Sequence, residues 1–219
     1  MTPKILRILV LHGHGQSEDI IKPKTRFVRQ ILSTLSENID FEFHYLSGIH
    51  PAYPDDRSPR DQWVWGQGDP EKDRIRGLRK SLAHILDFMD RNKRQFCGII
   101  GFSSGAAMAA IVTSLLERRR PTHHPPLLFT ICLSGFMLEN SYYRDFYGPH
   151  ITTPIFHTIG VWDSTVSAIQ TIKLTQHCTS PRVFCFEGGH YVPQSKEFAA
   201  LKIMLLNFLQ DIPELLSPE

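Results

Sequence analysis

The sequence predicts an α/β fold, a mostly parallel sheet with helices on both faces. Short apolar runs of strand length recur along the 219-residue chain, and segments with helical spacing separate most of them. No internal repeat or low-complexity linker divides the chain, so residues 1–219 read as one domain.

The first strand is the apolar run Ile5–Leu11. From Ile20 to Leu35, the residues Ile20, Phe27, Val28, Ile31, Leu32 and Leu35 fall at helical spacing. Phe41–Leu46 alternates like a strand. Residues 48–70 are rich in Pro, Asp, Gly and aromatics, which predicts an ordered loop or small aromatic lid. Ile75, Leu78, Leu82, Ile85, Leu86 and Met89 then mark one face of an amphipathic helix. Phe96–Ile100 is a short buried strand, and the small residues Ala106–Ala110 lead into a helix continuing through Leu116. The run Arg118–Arg120 ends that helix, where cations complement its dipole, and Pro121 stops it. Leu127–Leu133 and Ile155–Ile159 are further strands, 165–177 a helix, Val183–Phe186 a strand and Phe198–Leu209 a terminal helix.

Composition narrows the function classes. Hydrophobic residues make up 42% and charged residues 21%, the usage of an ordinary globular protein. A net charge of +2 gives no field favouring nucleic acid. No run approaches the ~18 apolar residues of a membrane span, and Met1–Lys4 lacks the features of a signal peptide. Cys97, Cys132, Cys178 and Cys185 show no CxxC spacing and read as buried, reduced thiols, so a cytoplasmic location is expected.

The chemistry gathers at the strand ends. Gly101-Phe102-Ser103-Ser104-Gly105 follows an apolar strand and opens a helix, the setting in which a serine hydroxyl projects from a sharp turn. Such a serine needs a base, and an acid to orient the base. His190, in the glycine-rich segment Gly188–Pro193 before the last helix, is the base. His123 and His124 sit in a proline-rich connector, and His157 reads as a satisfied core residue. Asp163, after the strand ending at Gly160, is favoured as the acid by position, with Asp145 in the aromatic segment competing. The turn His12-Gly13-His14-Gly15 ends the first strand and brings a second backbone donor, so the N–H groups of His14 and Ser104 form the expected oxyanion hole. Trp63, Trp65, Tyr142, Tyr143, Phe146 and Tyr147 are candidates for an apolar pocket. Phosphate-loop, dinucleotide and metal-ligand patterns are absent from the sequence, so neither a cofactor nor a metal is expected.

Together these segments resemble the FSH family of serine hydrolases, which includes ovarian-cancer-associated hydrolase-like and fungal thioesterase-like proteins. The resemblance spans nearly the whole chain. It rests on Leu11–Gln16, Trp63-Val64-Trp65, Gly101–Gly105, Gly160–Asp163 and Gly189–Pro193. Two departures are Ser104, where the family often has Gln, and the acid segment, where Trp162 precedes Asp163 and Ser164-Thr165 follow. The resemblance implies an α/β-hydrolase fold, with Ser103 as nucleophile, Asp163 as acid and His190 as base. It further implies an acyl ester or thioester as substrate, with an acyl carrier domain as a partner in thioester release. An acyltransferase and a non-catalytic binding protein on the same fold remain the rival functions.

Overall fold

In the computed structural model, which describes residues 3–53, 61–118 and 122–217, the strands and helices alternate as the patterning predicts. The first half contains β1 (Lys4–Leu11), α1 (Glu18–Lys24), α2 (Arg26–Leu32), β2 (Ile39–Leu46), β3 (His50–Pro51), β4 (Trp63–Val64) and α3 (Leu78–Arg91). Next come β5 (Phe96–Phe102), α4 (Ser104–Glu117), β6 (Phe129–Leu133) and a 3-10 turn (Ser141–Tyr143) running into α5 (Arg144–Tyr147). The chain continues through β7 (Ile155–Gly160), α6 (Ala168–Gln176), β8 (Pro181–Phe186), α7 (Phe198–Gln210) and α8 (Pro213–Leu216).

Six strands form one parallel sheet in the order β2-β1-β5-β6-β7-β8. Alternate residues of β1 feed two core layers. Leu9 and Leu11 pack with apolar side chains of α3, α4 and α6. Ile8 and Val10 face the layer formed by α2 and α7. The order turns back at β1, which lies between β2 and β5, so the loops after β1 and β5 open a crevice at the carboxyl edge of the sheet. Open α/β sheets bind their ligands in that position.

Several elements differ from the expectation. The stretch from Ile20 to Leu35 is two helices that meet at Thr25, whose N–H and Oγ1 both donate to Ile21 O, the hydroxyl at 3.1 Å, and close α1. Within 48–70, β3 and β4 form a small antiparallel pair, and residues 54–60 lie outside the described residues. The aromatic segment after Asn140 is helical, started by Asn140 Oδ1 accepting from Tyr142 N. Arg118 follows α4 as expected, whereas Arg119, Arg120 and Pro121 lie outside the described residues, as do Met1 and Thr2.

Buried polar groups bring two corrections. Cys185 is exposed on the edge strand β8 and Cys97 is half-buried instead of buried, and all four thiols are free. His157 is fully buried but not satisfied: Nδ1 has no partner, and Nε2 lies 3.7 Å from Cys178 Sγ. Among the described residues, no helix is long and apolar enough to cross a membrane.

Candidate active site

The site begins with a forced turn. Ser103, between β5 and α4, has φ 54° and ψ −121°, a backbone that side chains rarely adopt. Its N–H donates to Leu133 O at 2.9 Å, and its carbonyl accepts from Ala106 N at 2.9 Å. Glycines on either side make the turn possible. A Cβ on Gly101 would lie 2.3 Å from Gly105 O, and one on Gly105 would lie 2.3 Å from His12 O and 2.5 Å from Leu11 O. Strand and helix thus pack backbone to backbone. Gly105→Ala should therefore cost about 3 kcal/mol or more, read as a lower urea midpoint, because no flexible side chain is there to yield.

Three side chains from three loops meet at this turn. Ser103 Oγ is 2.9 Å from His190 Nε2, and His190 Nδ1 is 2.7 Å from Asp163 Oδ2. The other carboxylate oxygen, Oδ1, accepts Thr165 N–H at 2.9 Å and Val166 N–H at 2.8 Å. An ionised carboxylate only accepts, so Nδ1 carries the proton and Nε2 is left to accept from the serine hydroxyl. The Asp163 side chain is 1% exposed, against 19% for His190. The Phe102 ring lies beside the imidazole, with centroids 4.9 Å apart. Trp162 N–H donates to Gly188 O at 2.9 Å, which ties the acid turn to the base loop. The competing acid Asp145 is exposed on α5, where its backbone carbonyl accepts from Arg118.

The turn after β1 lies against the serine, since a Cβ on Gly13 would meet the Phe102 ring at 2.9 Å and Ser103 Cβ at 3.4 Å. His14 and Ser104 line the same cavity as Ser103. Ser104 opens α4, so its N–H has no acceptor within the helix. Its hydroxyl is buried without a partner, so the backbone is what it can offer a ligand.

His12, expected only as part of this turn, is the residue that holds it, a role that no spacing in the sequence marks. It is fully buried, accepts Gly48 N–H on Nε2 at 2.8 Å and donates from Nδ1 to Gly13 O at 2.7 Å. The Trp65 ring stacks on it at 4.8 Å, and the indole N–H donates to His12 O at 2.8 Å. Burial pushes its pKa down from 6.5 to about 4, and burial pushes that of His157 down to about 3. Both stay neutral in the fold, whereas the unfolded chain protonates them as the pH falls below 6.5. Acid therefore favours unfolding, and the loss levels off near the native values. Each histidine should remove about 2 kcal/mol between pH 7 and pH 5. Urea titrations at the two pH values measure this, and His157→Leu should show the shallower slope.

The crevice is a cavity of about 270 Å³ with apolar walls that include Trp65, Ile75, Leu78, Met108, Phe136 and Val166. Of the six aromatics expected there, only Trp65 is among its lining residues. Trp63 is held in β4, its indole N–H on Asp61. Tyr142 is exposed beneath the Arg74 and Arg79 guanidinium groups. Phe146 packs on Tyr143. Tyr143 and Tyr147 are buried behind the wall, where their hydroxyls accept the N–H groups of Ile75 and Leu138. The helical turn at α5 directs these rings into the core, so they support the lining from behind. Among the described residues, no group of His, Cys, Asp or Glu is arranged to hold a metal ion.

Comparison with known proteins gives the chain a family. The family described as serine hydrolase (FSH1) matches residues 1–201. A Xenopus tropicalis protein named esterase OVCA2 is 31% identical, with 87% of each chain covered. A Schizosaccharomyces pombe protein named dihydrofolate reductase is 28% identical over 96% of this chain; the chain spans only 48% of that longer protein. Among solved structures, Zea mays acyl-protein thioesterase 2 superposes with a TM-score of 0.63 at 18% identity, with 95% of each chain covered.

Proposed function

Because the chain belongs to the FSH1 family of serine hydrolases and has the α/β-hydrolase fold, we propose that this enzyme cleaves carboxylic esters or acyl thioesters through an acyl-enzyme on Ser103, within a single domain. The observation that carries this reading is the Ser103–His190–Asp163 chain of contacts opening onto an apolar cavity.

The geometry of the three side chains supports the following sequence of steps. His190 Nε2 takes the Ser103 proton as Oγ attacks the acyl carbonyl. Charge develops on the carbonyl oxygen, where the N–H groups of His14 and Ser104 receive it; the latter stands at the positive end of α4. Buried Asp163 stabilises the imidazolium that forms and keeps its proton on Nδ1. Collapse of the intermediate sends the Nε2 proton to the departing alkoxide or thiolate. Water, deprotonated by the same nitrogen, then attacks the acyl-enzyme and releases the acid. A thiolate leaves more readily than an alkoxide, so the apparatus serves both esters and thioesters, the latter including an acyl group borne by a carrier domain. Transfer to an alcohol or amine differs only in the acceptor, and product analysis with added nucleophiles separates it from hydrolysis.

The acyl group occupies the apolar cavity. Ala107 lies on its wall, one helical turn after Ser103 on α4, with room beside it. Ala107→Leu should lower kcat/KM for an octanoyl ester by about tenfold and leave an acetyl ester nearly unchanged. Equal effects on the two esters would place the acyl chain elsewhere. The primary test is intact mass after exposure to a fluorophosphonate, with a single adduct on wild type expected.

A further inference from the structure

His190 lies in a loop that has no regular structure to hold it. Residues 187–197 join β8 to α7, and two glycines, Gly188 and Gly189, immediately precede the base. Tyr191 N–H donates to Gly189 O at 2.9 Å, which makes His190 the centre of a three-residue turn. A turn of this size leaves the ring free to swing unless its neighbours are fixed.

We propose that Glu197 is a positioning residue for His190, a buried carboxylate that clamps the base loop without touching substrate. The inference rests on the hydrolase reading above and adds a residue to it. Glu197 is 8% exposed, and its carboxylate reaches back into the loop from the start of α7. Oε1 accepts the Tyr191 hydroxyl at 3.0 Å, and Oε2 accepts Gln194 N–H at 2.9 Å. Lys196 adds an ion pair with Oε1 at 3.5 Å from the exposed side. One side chain thus fixes the residue next to the base and a second backbone point three residues further on.

The clamp reaches the triad through Tyr191. Its ring packs edge-on against Phe186 at 5.3 Å, and a Cβ on Gly188 would lie 2.2 Å from its hydroxyl oxygen. Gly188 O in turn accepts Trp162 N–H, next to Asp163. Base and acid loops therefore share one fastening, and Glu197 closes it. Burial alone would raise the Glu197 pKa, but Gln194 N–H, the Tyr191 hydroxyl and Lys196 outweigh it and leave the pKa lowered, as expected of an ionised acceptor. An ionised carboxylate left there without its donors would be costly, so the contacts hold as a set.

Steady-state kinetics on a short acyl ester test the assignment. Glu197→Ala should lower kcat ten- to a hundredfold with KM changed less than about twofold, because the ring is misplaced while the cavity is intact. Glu197→Gln keeps one acceptor oxygen and should recover part of kcat. Tyr191→Phe should also lose kcat, and Tyr191→Phe combined with Glu197→Ala should be no slower than Glu197→Ala alone, because both break the same contact. If Glu197→Ala does not fold, Tyr191→Phe and Glu197→Gln carry the test. Wild-type kcat in these variants, losses that multiply in the double variant, or a rise in KM alone would overturn the clamp. A wild-type protein that forms no fluorophosphonate adduct would overturn the hydrolase reading along with it. Adduct formation by wild type and all variants at one rate would overturn the clamp alone.

Discussion

Ser103→Ala is expected to lower turnover of an acyl ester by about five orders of magnitude or more, with the unfolding transition nearly unmoved. The size follows from His190 Nε2, whose hydroxyl partner is Ser103 Oγ. The neighbouring Ser104 hydroxyl is buried without a partner and is no substitute. Residual hydrolysis would then rest on the proposed backbone donors of His14 and Ser104 acting on bound ester. Stability should hold because alanine keeps the Cβ, and serine bears the same positive φ that alanine would. Mass analysis gives the direct check. Wild type gains one fluorophosphonate adduct and the variant gains none; an adduct retained at the wild-type rate would assign the nucleophile elsewhere.

Asp163→Asn should cost about four orders of magnitude in kcat while changing the shape of the site very little. The asparagine oxygen can keep the Thr165 and Val166 N–H groups that Oδ1 now accepts. Its amide NH₂ then faces His190 Nδ1 in place of Oδ2. That nitrogen must become an acceptor, so the imidazole proton moves to Nε2 and points at Ser103. A ring in that tautomer cannot take the serine proton. The defect should appear in kcat and in the rate of fluorophosphonate labelling, with KM moving far less. A variant with near wild-type kcat would show that the carboxylate does not orient the base.

The two outcomes bear on different kinds of sequence signal. The elbow was legible because a buried strand, two glycines and a small-residue helix must coincide for backbones to approach as they do at Gly101 and Gly105. Asp163 and His190 were legible as polar residues just past apolar strands. The cavity was not, since Ile75, Leu78, Met108 and Val166 have the composition and periodicity of ordinary core. Whether such a residue faces a helix or a void depends on tertiary packing. For the same reason Tyr143 and Tyr147 read as pocket wall, although their hydroxyls hold the wall from behind. The helical spacing from Ile20 to Leu35 did not mark the break at Thr25, where α1 ends and α2 begins.

The 87 positions from Ser103 to His190 along the chain also give the enzyme a calendar. The elbow is assembled before the base loop in the chain, where β1 meets β5 and α4 and where Leu133 O on β6 accepts the Ser103 N–H. Its serine remains an ordinary alcohol until β8 joins the sheet edge and brings the base loop over it. During synthesis, a chain that has not yet added residues 187–197 can hold a formed elbow without any power to acylate it. Recovery of activity on refolding therefore reports that the base loop has docked on the elbow.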